Sequence, residues 1–321
     1  MSATEPPPRL YVDGHNLLHR AAFGFPARIT SRSGRDITLV FGFFALIRAA
    51  ARNLDTPPPE VIVVFDGQDG AAERRALLPQ YKPPVTGDEE AFADLPRIHE
   101  GLNLLGIHWI EDNKWEADDV IASLITAQPA REHLIMSTDK DFYQLLSPRV
   151  SVLNTQRRAD RRRIHPVDVH DKHGVLPHQW CDYRALTGDK SDNIPGIRSI
   201  GDKTATRLLT GEAHLEDLDK LDRLTGRTGH LIRQQWDHLI LWRTLNPTSH
   251  RHPCPCGQST PAQRSTTGPR HHRRTRPMEI RDHQFSAAPR RERNKVVCDG
   301  LPADARATKP SAGTTISQTP T

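Results

Sequence analysis

The sequence predicts an α/β fold, a central and mainly parallel sheet flanked by helices, followed by a helical part. Three observations predict it. Apolar strand-like runs alternate with segments of helical spacing over residues 9–153, the order typical of parallel sheets. Three of those runs end on carboxylates: RLYVD at Asp13, VIVVFD at Asp66 and HLIMSTDKD at Asp139 and Asp141. After about residue 165 only helical periodicity remains. Ligands of parallel sheets bind at the carboxyl ends of the strands, which is where these acids fall.

Each element has its own justification. RLYVD is a short apolar run closed by Asp13-Gly14, and HNLLHRAAFG and ITLVFGFFALIRAAARN carry apolar residues at helical spacing, the second ended by Asn53-Leu54-Asp55 and prolines. PEVIVVFDG repeats the strand theme. The polar stretch from Gln68 to Glu90 is expected to be a mobile or arched segment rather than core. DLPRIHEGLNLLG reads as an amphipathic helix, GIHWIE as a strand, and EADDVIASLITAQ as a helix beginning on acids that its dipole favours. EHLIMSTDKD is a further strand and FYQLLS a short helix. PVDVHDKHG, LPHQWCDYRALTG, GDKTATRLLTG and LIRQQWDHLILWRTLN supply the later helices. From Pro247 the periodicity dissolves into Pro, Arg, His, Ser and Thr, the composition of a disordered tail.

Composition narrows the function classes. A length of 321 residues allows one large or two ordinary domains. Cys181, Cys254, Cys256 and Cys298 are too few and scattered for a disulfide framework. No apolar run reaches the ~18–20 residues of a membrane span, and MSATEPPPRLY lacks the apolar core of a signal peptide; a reducing cytoplasm is expected. The net charge of +5 resides in the tail: thirteen Lys and Arg against five Asp and Glu follow Asn246, leaving the preceding part slightly acidic. Nucleic-acid binding must then rest on local clusters.

Strand ends and one helix start supply Asp13, Asp66, Glu116, Asp118, Asp119, Asp139 and Asp141, and TGDKSDNIPG adds Asp189 and Asp192. Singly, each is an ordinary cap or turn residue. Jointly, at one rim, they repel unless cations neutralise them, and oxygen-only ligands select Mg²⁺ first and Mn²⁺ second. Two such ions form the usual apparatus for phosphodiester hydrolysis, which needs no nucleophilic side chain.

GIRSIGDKT, Gly196 to Thr204, invites comparison with a phosphate-binding loop. It is one residue too long for that motif and follows Asn-Ile-Pro instead of an apolar strand. A tight glycine turn leading into a helix from about Asp202 fits better. Its glycines admit a phosphate to the backbone, the helix N-terminus offers N–H groups, and Lys203 adds charge.

Together these residues resemble the structure-specific 5′ nuclease family, flap endonucleases and particularly the 5′-3′ exonuclease domain of bacterial DNA polymerase I. The matching segments are YVDGHNLLHRAAFG, VIVVFDG, WEADDVIASL, STDKDFYQLLS, DYRALTGDKSDNIPG and GIRSIGDKTATRLL, in family order over roughly residues 9–246. The resemblance implies a PIN-like nuclease core over 9–164 after a disordered 1–8, with an arch at about 68–90. A helix-three-turn-helix DNA-binding subdomain over 165–246 and the tail 247–321 complete the expected domains. It implies a first metal site of Asp13, Asp66, Glu116 and Asp118, with Asp119 beside them, and a second of Asp139, Asp141, Asp189 and Asp192. It places Gly196, Ile197, Ser199, Gly201, Lys203 and Thr204 on DNA, with a K⁺ ion at the turn. Arg74 and Lys82 stand where the family sets basic residues on the scissile phosphate.

Tyr81-Lys82-Pro83-Pro84 departs from the family's Tyr-Lys-Ala continuation and its further arginine, which bears on strand threading. The tail has no family counterpart; a variable tail and a shifted reading frame after about Asn246 both produce such a change. Its His250, His252, Cys254 and Cys256 are spaced too closely for a structural zinc finger. Arg157, Arg158 and Arg161 to Arg163 form either a solvated hairpin or a DNA-facing loop.

The implied function is a monomeric, stand-alone 5′-3′ exonuclease or flap endonuclease. It would cleave near the 5′ end of flapped or nicked DNA, RNA primers included, in primer removal and repair. An RNase with a related acidic rim and a noncatalytic DNA-junction binder are the competing functions.

Overall fold

The computed structural model describes residues 6–52, 54, 59–83 and 92–246. All of these fall in one unit of the chain, Met1–Arg281. Strand β1 (Arg9–Asp13) lies inside a six-stranded sheet with β2 (Glu60–Phe65) on one side and β4 (His133–Met136) on the other. β3 (His108–Glu111) borders β2; β5 (Val150–Leu153) and β6 (Arg163–Ile164) extend beyond β4. All neighbours run parallel except β5 and β6. Because β1, β2 and β4 point the same way, Asp13, Asp66 and the Ser137–Asp141 segment emerge at one edge.

Strand residues alternate between two cores, as the two-residue pleat requires. Leu10, Val12, Val61, Val63, Leu134 and Met136 bury one face against α1 (Gly14–Phe23), α2 (Thr38–Arg52) and α4 (Leu95–Leu105). Tyr11, Ile62, Val64 and Ile135 bury the other against α5 (Ala117–Thr126). That second core continues through Trp180, Leu186, Leu208 and Leu239 to Leu245. The change at residue 165 is therefore one of secondary-structure type within a continuous apolar core. The helices there are α6 (Pro166–His173), α7 (Trp180–Thr187), α8 (Asp202–Leu209), α9 (Gly226–Gln234) and α10 (Trp236–Leu245).

Three elements differ from expectation. LIRQQWDHLILWRTLN is two helices, because Gln235 leaves helical geometry at φ −111°, ψ 22° while its N–H still closes back on Leu231 and Ile232. β6 is an antiparallel strand whose short connection from β5 allows only a hairpin. The described part of the polar 68–90 stretch contains α3 (Ala72–Leu77) and inserts Leu78 and Tyr81 into the core; 84–91 lie outside the described residues, as does the 247–321 tail with its histidines and cysteines. Among the described residues no helix is long and apolar enough to cross a membrane.

The segment joining α7 to α8 is held by two facing glycines. Gly188 and Gly196 have φ of 81° and 67°, and a Cβ on Gly196 would stand 2.4 Å from Gly188 N and 2.6 Å from Thr187 C. Asp189 and Ile194 exchange backbone hydrogen bonds of 2.8 and 2.7 Å between them. Gly196→Ala is expected to lower unfolding free energy by about 1–3 kcal/mol, read from the urea midpoint; an unchanged midpoint would contradict this close approach.

Candidate metal centre

Several of the carboxylates are positioned by capping and turn hydrogen bonds. Asp13 caps α1, its Oδ1 accepting from Asn16 N–H at 3.1 Å, while Oδ2 accepts from the Ser137 hydroxyl at 2.7 Å. Asp66 caps a different helix: its Oδ1 accepts from Ala117 N–H at 2.7 Å, tying the end of β2 to the start of α5. The Asp66 N–H donates to His15 Nδ1 at 3.0 Å. Glu116 is the buried residue preceding α5, and Asp118 and Asp119 occupy its first turn, where the helix dipole favours negative charge. Asp139 Oδ1 accepts from Asp141 N–H at 2.9 Å at the head of a short 3₁₀ helix. The cap reading and the rim reading both hold, because each capping oxygen keeps a further lone pair.

The rim is divided by how its charge is balanced. Two cations from the 68–83 segment neutralise one end. Arg74 donates to Asp119 at 2.9 and 2.6 Å and pairs with Glu116 Oε2, while Lys82 Nζ sits 2.6 Å from Glu116 Oε1. The Tyr81 hydroxyl lies 3.2 Å from Glu116 and 3.4 Å from Asp192. Burial works against charge on Glu116, yet Lys82 and Arg74 hold its carboxyl below the usual range. At the other end Arg184 supplies the positive charge, pairing with Asp189 and lying 3.6 Å from Asp141. Asp189 also accepts from Ser191 N–H at 2.7 Å, so it shapes its loop.

Between these ends the carboxylates lack sufficient cation. Burial, then the charge on Asp66, pushes Asp13 up to about 7. Burial, then Asp139 and Asp192, pushes Asp141 up to about 8 even with Arg184 nearby. Burial, then Glu116 and Asp119, holds Asp118 well above the carboxylate range. Glu116, Asp118 and Asp119 have oxygens within 4.8 Å of one another. Buried, oxygen-only donors short of counter-charge fit a hard divalent cation.

Two clefts meet at this rim. One of 380 Å³ is lined by Asp13, Asp66, Glu116, Asp118, Asp139 and Lys82 among others. The second, 640 Å³, shares Asn16, Asp139 and Ser191 with it and runs along Lys140, Arg184 and Gly188 to Asp202. Beyond lies the GIRSIG turn. Gly201 and Lys203 are exposed and Thr204 half-buried; Ser199 is exposed in left-handed conformation, φ 72°. Gly196 is buried, and Ile197 anchors the turn, its side chain in the core and its N–H donated to Leu186 at 3.0 Å. Tyr81, Ser137 and Arg184 were not singled out from sequence. The signal for Arg184 was a lone cation five residues before Asp189 in an acid-rich stretch.

The chain matches the sequence profile of the 5′-3′ exonuclease N-terminal resolvase-like domain over residues 8–174. It matches that of the 5′-3′ exonuclease C-terminal SAM fold over 175–265. The chain belongs to the 5′-3′ exonuclease family. The second match runs past the boundary expected at 246. Thermostable DNA polymerase I of Thermus aquaticus is 40% identical over 237 residues, 72% of this chain and 27% of that protein. That of Thermus filiformis is 39% identical over 228 residues, 68% of this chain and 26% of that protein. The chain thus spans about a quarter of the length of these curated relatives. The bacteriophage T5 flap endonuclease, solved as a pseudo-enzyme–product complex with DNA and metal ions, superposes at a TM-score of 0.61 and 21% identity. The superposition covers 74% of this chain and 88% of that one. The likeness shows a shared fold: a mostly parallel sheet flanked by helices, PIN-like, with a helical domain after it.

The raised pKa values have a consequence for stability. Unfolded, Asp13 and Asp141 would titrate near ~4; folded and metal-free, they do so at about 7 and about 8. The native state binds more protons in that window, so metal-free stability falls as pH rises through it. A divalent cation replaces those protons. The rise in Tm on adding saturating Mg²⁺ to EDTA-treated protein should be larger at pH 8 than at pH 6; an equal or smaller rise at pH 8 would contradict the charge balance.

Proposed function

We propose that this chain hydrolyses phosphodiester bonds near the 5′ end of flapped, nicked or overhanging DNA. The observation that carries this is the convergence of carboxylates from three parallel strand ends, one helix start and the α7–α8 connection on two clefts that share lining residues, with Lys82 in the wall of the smaller. Asp13, Asp66, Glu116 and Asp118, with Asp119 beside them, are assigned to one metal site, and Asp139, Asp141, Asp189 and Asp192 to the other. Mg²⁺ is the expected ion, with Mn²⁺ able to substitute. Bound there, such ions would neutralise charge and lower the pKa of water so that hydroxide is available to attack phosphorus at neutral pH.

The chain's own groups do the rest. Lys82 and Arg74 are assigned to the scissile phosphate, and Lys82, whose side chain is 31% exposed, is the nearer to solvent. Arg74 is spent on Glu116 and Asp119, so its first part is to fix those two carboxylates. Asp119 and Asp189, each tied to an arginine, are best understood as orienting groups within the assigned sets. Tyr81 spans Glu116 and Asp192 and couples the arch to the loop, helped by the Lys82 N–H on the Asp192 carbonyl at 3.2 Å. The turn from Gly196 to Thr204 is assigned to the duplex backbone through Ser199, Gly201, Lys203 and Thr204, with Gly196 and Ile197 shaping it. Its carbonyls are the proposed K⁺ site. Monomeric action in the cytoplasm, on RNA-primed as well as DNA 5′ ends during primer removal and repair, completes the proposal.

Asp139 tests it cleanly. It lines both clefts and is half-buried, and its cost to the fold on removal is confined to the hydrogen bond from Asp141 N–H. Asp139→Ala is expected to lower cleavage of a 5′-flap DNA by at least about 10³-fold, with flap binding retained in a gel-shift measurement. A purified variant with full activity would sink the two-metal assignment.

A further inference from the structure

The hairpin joining β5 to β6 carries Arg157, Arg158, Arg161, Arg162 and Arg163 with one acid, Asp160. Its conformation is fixed from within. Asn154 N–H donates to the Arg162 carbonyl at 2.8 Å, and Arg162 Nε to the Arg157 carbonyl at 3.0 Å. Arg163 Nε donates to Ser151 at 3.0 Å. The hairpin is also tied to the helix that begins at the rim, since Arg20 of α1 donates to Thr155 at 2.7 Å. The turn is thus a built feature held in fixed relation to Asp13.

The structure leaves its tip charges unused. Arg158 and Arg161 are 90% and 81% exposed, and their contacts with Asp160 are 4.0 and 3.9 Å, the kind of surface pair worth little. Arg157 is half-buried. Lys172 of α6 is pushed down by burial first and then by the charges of Arg157 and Lys140. Lys140 in turn lines the larger cleft beside Asp139. Positive charge from the cleft lining and the hairpin thus acts at Lys172, and the exposed Arg158 and Arg161 belong to the same hairpin as Arg157. Exposed cations with only such loose counter-charge favour the approach of a polyanion.

We infer that the β5–β6 hairpin is a second backbone-binding surface for the nucleic-acid substrate, taking phosphates of the strand that leaves the cleft past Lys140. It is distinct from the GIRSIG turn, and it rests on the phosphodiesterase function proposed above. The contacts are to phosphate, so they add affinity and position without sequence preference.

The test compares Arg158→Ala/Arg161→Ala with Arg97→Glu, which changes net charge equally on α4, beside the opposite edge of the sheet. Binding and steady-state cleavage of a 5′-flap DNA are measured from about 50 to 200 mM salt. Wild-type cleavage in the same series checks the underlying function independently. The tip variant should weaken flap binding roughly tenfold at the low-salt end and reduce the log–log salt slope by about 1–2, with KM raised and kcat held. The Arg97→Glu variant should match wild type. Wild-type cleavage together with an unchanged slope and KM in the tip variant would overturn the inference. So would an equal loss in both variants, which would mark a general charge effect.

Discussion

Packing several carboxylates at one edge of a parallel sheet sets a constraint that the surrounding structure answers. Asp13, Asp118 and Asp141 are buried beside other acids, and each is held above its ordinary pKa. Arg74, Lys82 and Arg184 come from outside the sheet to neutralise the flanks. Tyr81, buried in the core, fixes the segment that delivers two of those cations. The middle of the rim is left short of positive charge, a deficit that a salt-bridge cluster alone does not meet and that a divalent cation would. Folding stability and metal binding draw on the same electrostatic imbalance.

The same constraint explains why the second, helical part is built onto the sheet and not set apart from it. Asp189 and Asp192 complete the rim only because the α7–α8 connection is pinned by Gly188 against Gly196. The residues that follow, Ile197 and Ile200, are buried and turn the chain so that Ser199 and Lys203 face out. A few residues around Ile194-Pro195 thereby set the distance between the exposed turn and the carboxylates. The continuous core from Tyr11 to Leu245 keeps that distance from drifting.

Much of this was legible in the sequence, for physical reasons. Strand-to-acid transitions at Asp13, Asp66 and Asp139 are local signals, and parallel topology converts them into one edge without further information. Apolar residues three and four apart, Ile98 and Leu102 in α4 and Ala205, Leu208 and Leu209 in α8, likewise marked the helices. What stayed hidden depends on contacts distant in sequence. Nothing local says that Asp66 caps the helix after Glu116, that Arg74 turns inward to Asp119, or that Arg184 separates Asp189 from the freer carboxylates. The β6 strand, two residues long, was below any periodicity, and the break at Gln235 lies inside an otherwise continuous helical pattern. Arginines of the β5–β6 turn were visible as composition, but their exposure was not.

The central claim, that the charge-deficient rim works only when divalent cations complete it, is most directly tested by cleavage of an end-labelled 5′-flap DNA by the full chain in Mg²⁺ and in EDTA. A defined product released near the junction is expected in Mg²⁺ and none in EDTA, with activity restored on adding the ion back. Equal cleavage in EDTA, or intact flap in Mg²⁺ from protein that binds the flap, would contradict it.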